Sequence, residues 1–282
     1  MKLDRRALDA HPLPPSGTDG KESKGRILII AGSRDVPGAA LLAATAAMRT
    51  GAGQLAIATV ESVAMSLAVA MPEAMVTGLP ETRGGGFAAA AVERLADLAA
   101  KADAVVAGPG VKPSAACADI AKALLATETA LALDVALLKA LQPPRVQRAS
   151  PPVLLPDQDE LAALLDCDEA EIEADPLACG RRAAERYRAV VHVKGATSYV
   201  ISPAGEVGTH QSDAPGLGVS GSGDVLSGIV GGLLARGGEP LNALLWAVWL
   251  HGQAGARLSK QIGPAGFLAR EIADAVPTVL PR

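Results

Sequence analysis

Six short apolar runs recur along the chain, each of strand length and each ending on glycine, proline or a polar residue. They are RILIIA (26–31), QLAIATV (54–60), AVVA (104–107), ALAL (130–133), PVLL (152–155) and AVVHV (189–193). Between them lie alanine- and leucine-rich stretches with helical patterning, such as AALLAATAAMR from residue 39 and the segment 88–101. Strands alternating with helices need crossover connections, and crossovers build a mostly parallel sheet covered by helices on both faces. Only 2% of the residues are aromatic while 49% are hydrophobic, so Ala, Leu, Val and Ile must fill the core. Such side chains suit close packing of helices on a sheet. Residues 198–202 and 206–210, joined by Pro203-Ala204-Gly205, read instead as a hairpin. Helices are expected over 224–235 and from 240 to about 258.

With 282 residues and no stretch resembling a flexible linker, the expectation is one domain over 24–282. A polar, proline-bearing and mobile leader over 1–23 precedes it. That leader has no apolar signal region, and every later apolar run is interrupted before spanning length. Cys117, Cys167 and Cys179 form no C-x-x-C pair and leave one thiol over in any pairing, which fits a reducing compartment. A cytoplasmic protein without a membrane partner is therefore expected. The 26 basic against 30 acidic residues lack the positive balance that tracking a nucleic-acid backbone requires. The segments 84–86 and 142–152 read as the loosest surface loops.

Open α/β sheets bind ligands beyond the carboxyl ends of their strands, so the polar residues ending each run are the first candidates for chemistry. The richest segment is DAPGLGVSGSGDVLSGIVGG (213–232), where spaced glycines lead into a helix carrying Asp224 in its first turn. Backbone N–H groups at a helix start, approached closely through glycine, form an anion hole, here at Gly221, Ser222 and Gly223. An acid there is equally compatible with simple compensation of the helix dipole. The literal G-x-G-x-x-G at 216–221 does not open a strand-turn-helix unit, and no Walker A pattern occurs. Lys194-Gly195-Ala196-Thr197-Ser198 ends a strand, where an ammonium, backbone N–H groups and hydroxyls could hold a nucleotide phosphate or simply form a solvated turn. His192 reads as a sheet residue and His251 as a satisfied core histidine, and Trp246 and Trp249 share a core-facing spacing. No histidine or cysteine cluster suggests a metal site.

Taken in order, these motifs resemble the stand-alone ADP-dependent NAD(P)H-hydrate dehydratases of the ribokinase-like superfamily. Lys24-Gly25 and AGSRDVPGAALLAATAAMRTGAG are similar to the family's opening, followed by GPG at 108–110 and LALD ending at Asp134. KGATS from Lys194, GSGD ending at Asp224 and WLHGQAG around His251 complete the set. The resemblance implies an α/β fold, a ribokinase-like three-layer sandwich with a mostly parallel central sheet flanked by helices. It implies ADP-dependent, Mg²⁺-assisted repair of NADHX and NADPHX to NADH and NADPH, releasing AMP and phosphate. Ala40, Gly110, Asp157 and Asp224 would line the hydrate site, Lys194, Gly195, Ala196, Thr197, Ser198 and Gly223 would bind the nucleotide, and Asp224 would be the catalytic base. A homo-oligomer, with the tetramer as one form, and an epimerase on a separate chain follow from the same likeness. Two departures stand out: the family's T-P-H-x-G-E loop reads Leu155-Pro156-Asp157-Gln158-Asp159-Glu160, and its G-N-G-x-x-x-G-G-T-G-D segment, here residues 213–224, loses the asparagine. A ribokinase-type small-molecule kinase and a nucleotide sensor without catalysis are the competing readings.

Overall fold

The structure is a computed structural model that describes residues 1–14 and 20–281. Alternation runs through the whole chain. A short α1 (Arg5–Leu8) precedes β1 (Arg26–Ile30), α2 (Gly38–Arg49), β2 (Gln54–Val60), α3 (Glu61–Ala70) and β3 (Ala74–Leu79). Next come α4 (Val92–Ala99), β4 (Ala104–Ala107), α5 (Cys117–Leu125), β5 (Ala130–Leu133), α6 (Ala136–Lys139) and β6 (Val153–Leu154). Then α7 (Gln158–Leu165), α8 (Glu169–Ala174) and α9 (Pro176–Tyr187) lead to β7 (Val190–Val193) and the hairpin β8 (Thr197–Ile201) and β9 (Val207–Gln211). The chain closes with α10 (Ser222–Ala235), α11 (Pro240–Gln261) and α12 (Ala269–Val279).

The nine strands form one sheet in the order β3-β2-β1-β4-β5-β6-β7-β8-β9. Pairings from β3 through β7 are parallel, and β8 and β9 are antiparallel additions. The six apolar runs all became strands, and the expected hairpin is present with its bounds shifted by one residue. Helices α2, α10, α11 and α12 pack against one another as one layer and α4 to α9 form a second, giving the three-layer α/β architecture. The strand order reverses between β1 and β4, the switch point at which open α/β sheets bind ligands, and beyond the two strands the Gly32 N–H donates to Pro109 O at 2.8 Å.

Helix α10 sits deepest in its layer. A Cβ on Gly231 would stand 2.3 Å from Val106 Cγ2 in the sheet, and one on Gly228 would stand 2.2 Å from the carbonyl oxygen of Ala43 in α2. Glycine at these positions lets α10 lie between sheet and α2 at backbone distance, where the alanine face of α2 (Ala43, Ala44, Ala46, Ala47) is fully buried.

The leader is held rather than mobile where it is described. Leu3 N donates to Thr209 O at 2.7 Å, extending the sheet past β9, and Leu3 and Leu8 are buried. Trp246 Nε1 donates to His11 O at 2.5 Å, and the Trp246 ring meets Trp249 edge-on with centroids 5.6 Å apart. The leader thus covers a sheet edge that would otherwise expose unpaired backbone groups. Residues 15–19 lie outside the described residues. The segment 142–152 carries no regular element, yet Arg148 anchors it by donating to the carbonyls of Leu125, Thr127 and Thr129. Cys117, Cys167 and Cys179 are all free thiols. No helix among the described residues is long and apolar enough to cross a membrane.

Gly228→Ala places a methyl against backbone that cannot swing aside, so it should destabilise the fold by about 1–3 kcal/mol through overpacking. Urea unfolding of the two proteins measures this. An unshifted midpoint would mean that α10 and α2 separate without cost.

Candidate active site

The start of α10 follows from its glycines. Gly221, the N-cap, has φ 88°, a left-handed conformation that favours glycine, and a Cβ there would stand 2.5 Å from Leu42 Cδ1. The Ser222 N–H donates to Val219 O at 3.1 Å, closing the turn before the helix. Of the expected anion hole, Ser222 therefore contributes no free N–H. The unshared donors are those of Gly221, Gly223 and Asp224, which have no acceptor among the described residues. Orphan N–H groups and the helix dipole together favour an anion at this point. Gly223 leaves room for one, since a Cβ built on it would find only Lys194 Nζ, 3.8 Å away.

Lys194 arrives where β7 leaves the sheet, and its Nζ lies 3.8 Å from Asp134 Oδ1. Asp134 follows β5 in the same way and is buried. Its Oδ2 accepts from Ser227 Oγ at 2.6 Å and its Oδ1 from the Val135 N–H at 3.0 Å. Val135 has φ 51° and ψ −128°, a strained conformation for a β-branched residue, and it lies beside the cavity described next.

Asp157, the acid that stands where the family pattern has histidine, caps α7. Its Oδ1 accepts from the Glu160 N–H at 2.8 Å, while Glu160 Oε2 accepts from the Asp157 N–H at 2.9 Å. This reciprocal box ties the carboxylate of Asp157 to its own helix. It also turns the buried Glu160 inward.

Asp134, Val135, Asp157, Glu160, Lys194, Gly221, Gly223 and Asp224 enclose a cavity of about 170 Å³. Four carboxyl groups thus face one ammonium. Burial, with the charge of Asp134 added, pushes Asp224 up to about 6 against the partial offset of Lys194. Burial pushes Glu160 up to about 7; the Asp157 N–H opposes this, Asp134 and Asp157 add to it, and Lys194 opposes it. Glu160, and to a smaller degree Asp224, is therefore partly protonated near neutrality, which lessens the repulsion of an entering anion.

A second cavity of about 460 Å³ lies between the β7–β9 strands and helices α10 and α11. Lys194 and Gly223 line both cavities, so the start of α10 is the wall they share. Ser198, Gly195 and Ser222 add polar groups to the larger one, and Leu217, Leu226 and Val248 add apolar walls. His251 also lines it, with Nε2 3.0 Å from Ser222 Oγ and 3.2 Å from Ser222 O. A carbonyl can only accept, which assigns a proton to Nε2. Burial pushes this imidazole down to about 4, so it is neutral. The satisfied histidine read from sequence is thus also part of the site.

The structure brings together Asp157, Lys194, Gly195, Ser198, Gly221, Ser222, Gly223 and Asp224 on these walls. Ala196 and Thr197 line neither cavity. Ala40, fully buried in the first turn of α2, and Gly110, packed under Ala39, lie beyond the carboxyl ends of β1 and β4 instead and line neither cavity. Glu160, visible in sequence only as part of the 155–160 loop, and Ser227, His192 and His210, to which no motif assigns a role, are additions; the capping of α7, the turn of α10 and the pairing of strands place them. No group of three or more histidine, cysteine or acidic residues among the described residues is arranged to hold a metal.

The family model described as NAD(P)H-hydrate dehydratase matches residues 27–278, nearly the whole chain. The chain belongs to that family. A relative from Xanthomonas campestris pv. campestris named ADP-dependent (S)-NAD(P)H-hydrate dehydratase is 46% identical over 280 residues, covering 98% of this chain and 94% of that protein. The ADP/ATP-dependent NAD(P)H-hydrate dehydratase of Bacillus subtilis, co-crystallised with ATP and Mg²⁺, matches with a TM-score of 0.86 at 26% identity, covering 98% of this chain and 96% of its own. A ribokinase-like superfamily protein from Enterococcus faecalis V583 matches with a TM-score of 0.82 at 26% identity, over 98% and 94% of the two chains. The fold of this family member is accordingly ribokinase-like.

The raised carboxyl of Asp224 carries a stability signature. Its folded value of about 6 lies above the ordinary 3.8, so the proton it holds in the folded state favours folding at low pH. That advantage fades as pH rises from about 4 and is gone above about 6 to 7. Asp224→Asn cannot ionise, so its melting temperature should gain on the wild type progressively over that window and then keep a constant lead. Melting curves from pH 4 to 8 test this; a lead that does not change with pH would mean that Asp224 is not perturbed.

Proposed function

We propose that this chain is an ADP-dependent NAD(P)H-hydrate dehydratase that restores NADH and NADPH from NADHX and NADPHX, releasing AMP and phosphate. The observation that carries the reading is the position of Asp224 in the first turn of α10, at the wall shared by two cavities and beside Lys194. A nucleotide fits the larger cavity, with its base among Leu217, Leu226 and Val248 and its terminal phosphate at Gly223 and Lys194. The hydrated ring then approaches from the side of Asp224 and the smaller cavity, with the rest of the dinucleotide running toward the β1/β4 switch point and Gly110. Its ring hydroxyl attacks the β-phosphorus of ADP and gives its proton to Asp224, while the bond from that phosphorus to the bridging oxygen breaks and AMP departs. The phosphorylated carbon next loses phosphate as its neighbour loses a proton, which restores the ring double bond.

The N–H groups of Gly223 and Asp224 and the ammonium of Lys194 stabilise the charge of the transferred group. A carboxyl near 6 suits a base working at neutral pH, being ionised yet still basic enough to take a proton. Mg²⁺ arriving with the nucleotide would be held mainly by phosphate oxygens and water, with one or two carboxylates among Asp134, Asp157 and Glu160, and would neutralise phosphate charge.

Asp224→Asn should lower turnover of NADHX by about 10²–10⁴-fold while ADP still binds. In the wild type, kcat/KM should fall about tenfold per pH unit below the Asp224 value. Recovery of reduced-nicotinamide absorbance from NADHX with ADP measures both. A stable phosphorylated product would instead identify a kinase, and ADP binding without turnover a sensor. Gly223→Ala offers a separate check: alanine is the better helix former by about 0.5–1 kcal/mol, so the fold should hold or gain stability. Its methyl nevertheless projects toward Lys194 into the phosphate position, and KM for ADP should rise at least about tenfold. An unaltered KM would remove the phosphate from Gly223.

A further inference from the structure

The N–H of Ser222 is spent on Val219 O, but the residue keeps 7% of its surface exposed and lines the larger cavity beside Lys194 and Gly223. Its hydroxyl has one partner among the described residues. Ser222 Oγ lies 3.0 Å from His251 Nε2, and the same nitrogen lies 3.2 Å from Ser222 O. A carbonyl can only accept, so Nε2 carries the imidazole proton and shares it between the two oxygens of one residue. In the opposite tautomer a bare nitrogen lone pair would face the carbonyl lone pairs. Ser222 Oγ is therefore the acceptor of this contact, and its own proton is left with no acceptor in the protein.

Helix α11 holds the imidazole in this relation. Gly252 and Gly255, one turn apart, let it lie close: a Cβ on Gly252 would stand 2.2 Å from His210 Nε2, and one on Gly255 would stand 2.6 Å from Leu217 Cδ2. A serine side chain has three staggered rotamers, and the bond from Nε2 selects one of them. The hydroxyl is thus fixed at its oxygen and unsatisfied at its hydrogen. A charged acceptor answers such a donor best, since bonds to ionised groups are about twice as strong as neutral ones. Lys194 Nζ and the N–H of Gly223 border the same cavity and call for the same kind of ligand.

We propose that the Ser222 hydroxyl donates a hydrogen bond to a phosphate oxygen of the bound nucleotide, with His251 as the positioning residue that fixes its rotamer and keeps its proton free, an inference that rests on assigning the larger cavity to the nucleotide. Ser222 thereby joins the phosphate-binding groups through its side chain, although its backbone N–H is engaged elsewhere. His251 acts only through Ser222.

The test is calorimetric binding of ADP with Mg²⁺, and of adenosine, to the full chain and to Ser222→Ala, His251→Leu and the double variant. Ser222→Ala should bind ADP about tenfold more weakly, the worth of one hydrogen bond to a charged group. Its melting temperature should stay unshifted, because the carbonyl of residue 222 still accepts from His251. Adenosine, which has no phosphate, should bind Ser222→Ala and the wild type alike. His251→Leu should weaken ADP by about threefold, the loss of one selected rotamer in three, and should have no further effect when added to Ser222→Ala. A purely structural histidine would weaken ADP equally in both backgrounds, which overturns the positioning role. Unaltered ADP affinity in Ser222→Ala overturns the proposal even if His251→Leu does not fold, and so does an equal loss for adenosine. In each of these cases ADP still binds the wild type and the nucleotide site stands. If ADP does not bind the wild type, the nucleotide assignment falls and this proposal with it.

Discussion

The backbone-distance packing of α10 between the sheet and α2 is the constraint on which the site depends. Gly228 and Gly231 remove the side chains that would hold the helix away, and the alanine face of α2 leaves it no slack on the other side. A helix pressed along its length against β4 and α2 cannot tilt without opening voids in a core packed like a crystal. The position of its first turn, and with it Gly223 and Asp224, is therefore set by contacts one to three turns further on. A sheet made of Val, Ile and Ala supplies the flat surface this requires, which gives the scarcity of aromatic residues a mechanical reason.

Electrostatics then distinguishes the two cavities. In the smaller one four carboxyl groups share a single ammonium, and burial resolves the crowding by raising Asp224 and Glu160 toward neutrality. In the larger one the polar residues are mostly hydroxyls and neutral imidazoles. Negative charge enters the shared wall between them most readily, where helix N–H groups and Lys194 converge. Asp134 links the two sides: it faces Lys194, raises Asp224, and is itself held by Ser227, one helical turn beyond Asp224 on α10.

Much of this was legible in the sequence because buried parallel strands are uninterrupted apolar runs, and six of them announced the sheet. The strand β3 escaped notice for the same physical reason: at the edge it is half exposed, and Thr77 and Gly78 break its apolar character. Helix α12 carries Pro277 within it, which weakens any helical reading. The leader looked mobile because its composition is polar, but two leucines and a few backbone groups suffice to dock it. At the site, the glycines and Asp224 were readable as a motif. The involvement of Ser222 N–H in a turn, the capping box that explains Asp157, and the orphan nitrogens of His192 and His210 arise from contacts between distant segments. No local pattern encodes them.

The two tryptophans have a consequence of a different kind. They are the chain's only indoles, both lie on α11, and Trp246 touches the leader through His11 while the guanidinium of Arg5 sits 5.0 Å above its ring. The same helix carries His251 and Gly252 to the wall of the larger cavity. With so few other aromatic residues to compete, the protein's ultraviolet emission is in effect the optical record of one helix. Undocking of the leader and movement at the cavity reach that single signal from opposite ends.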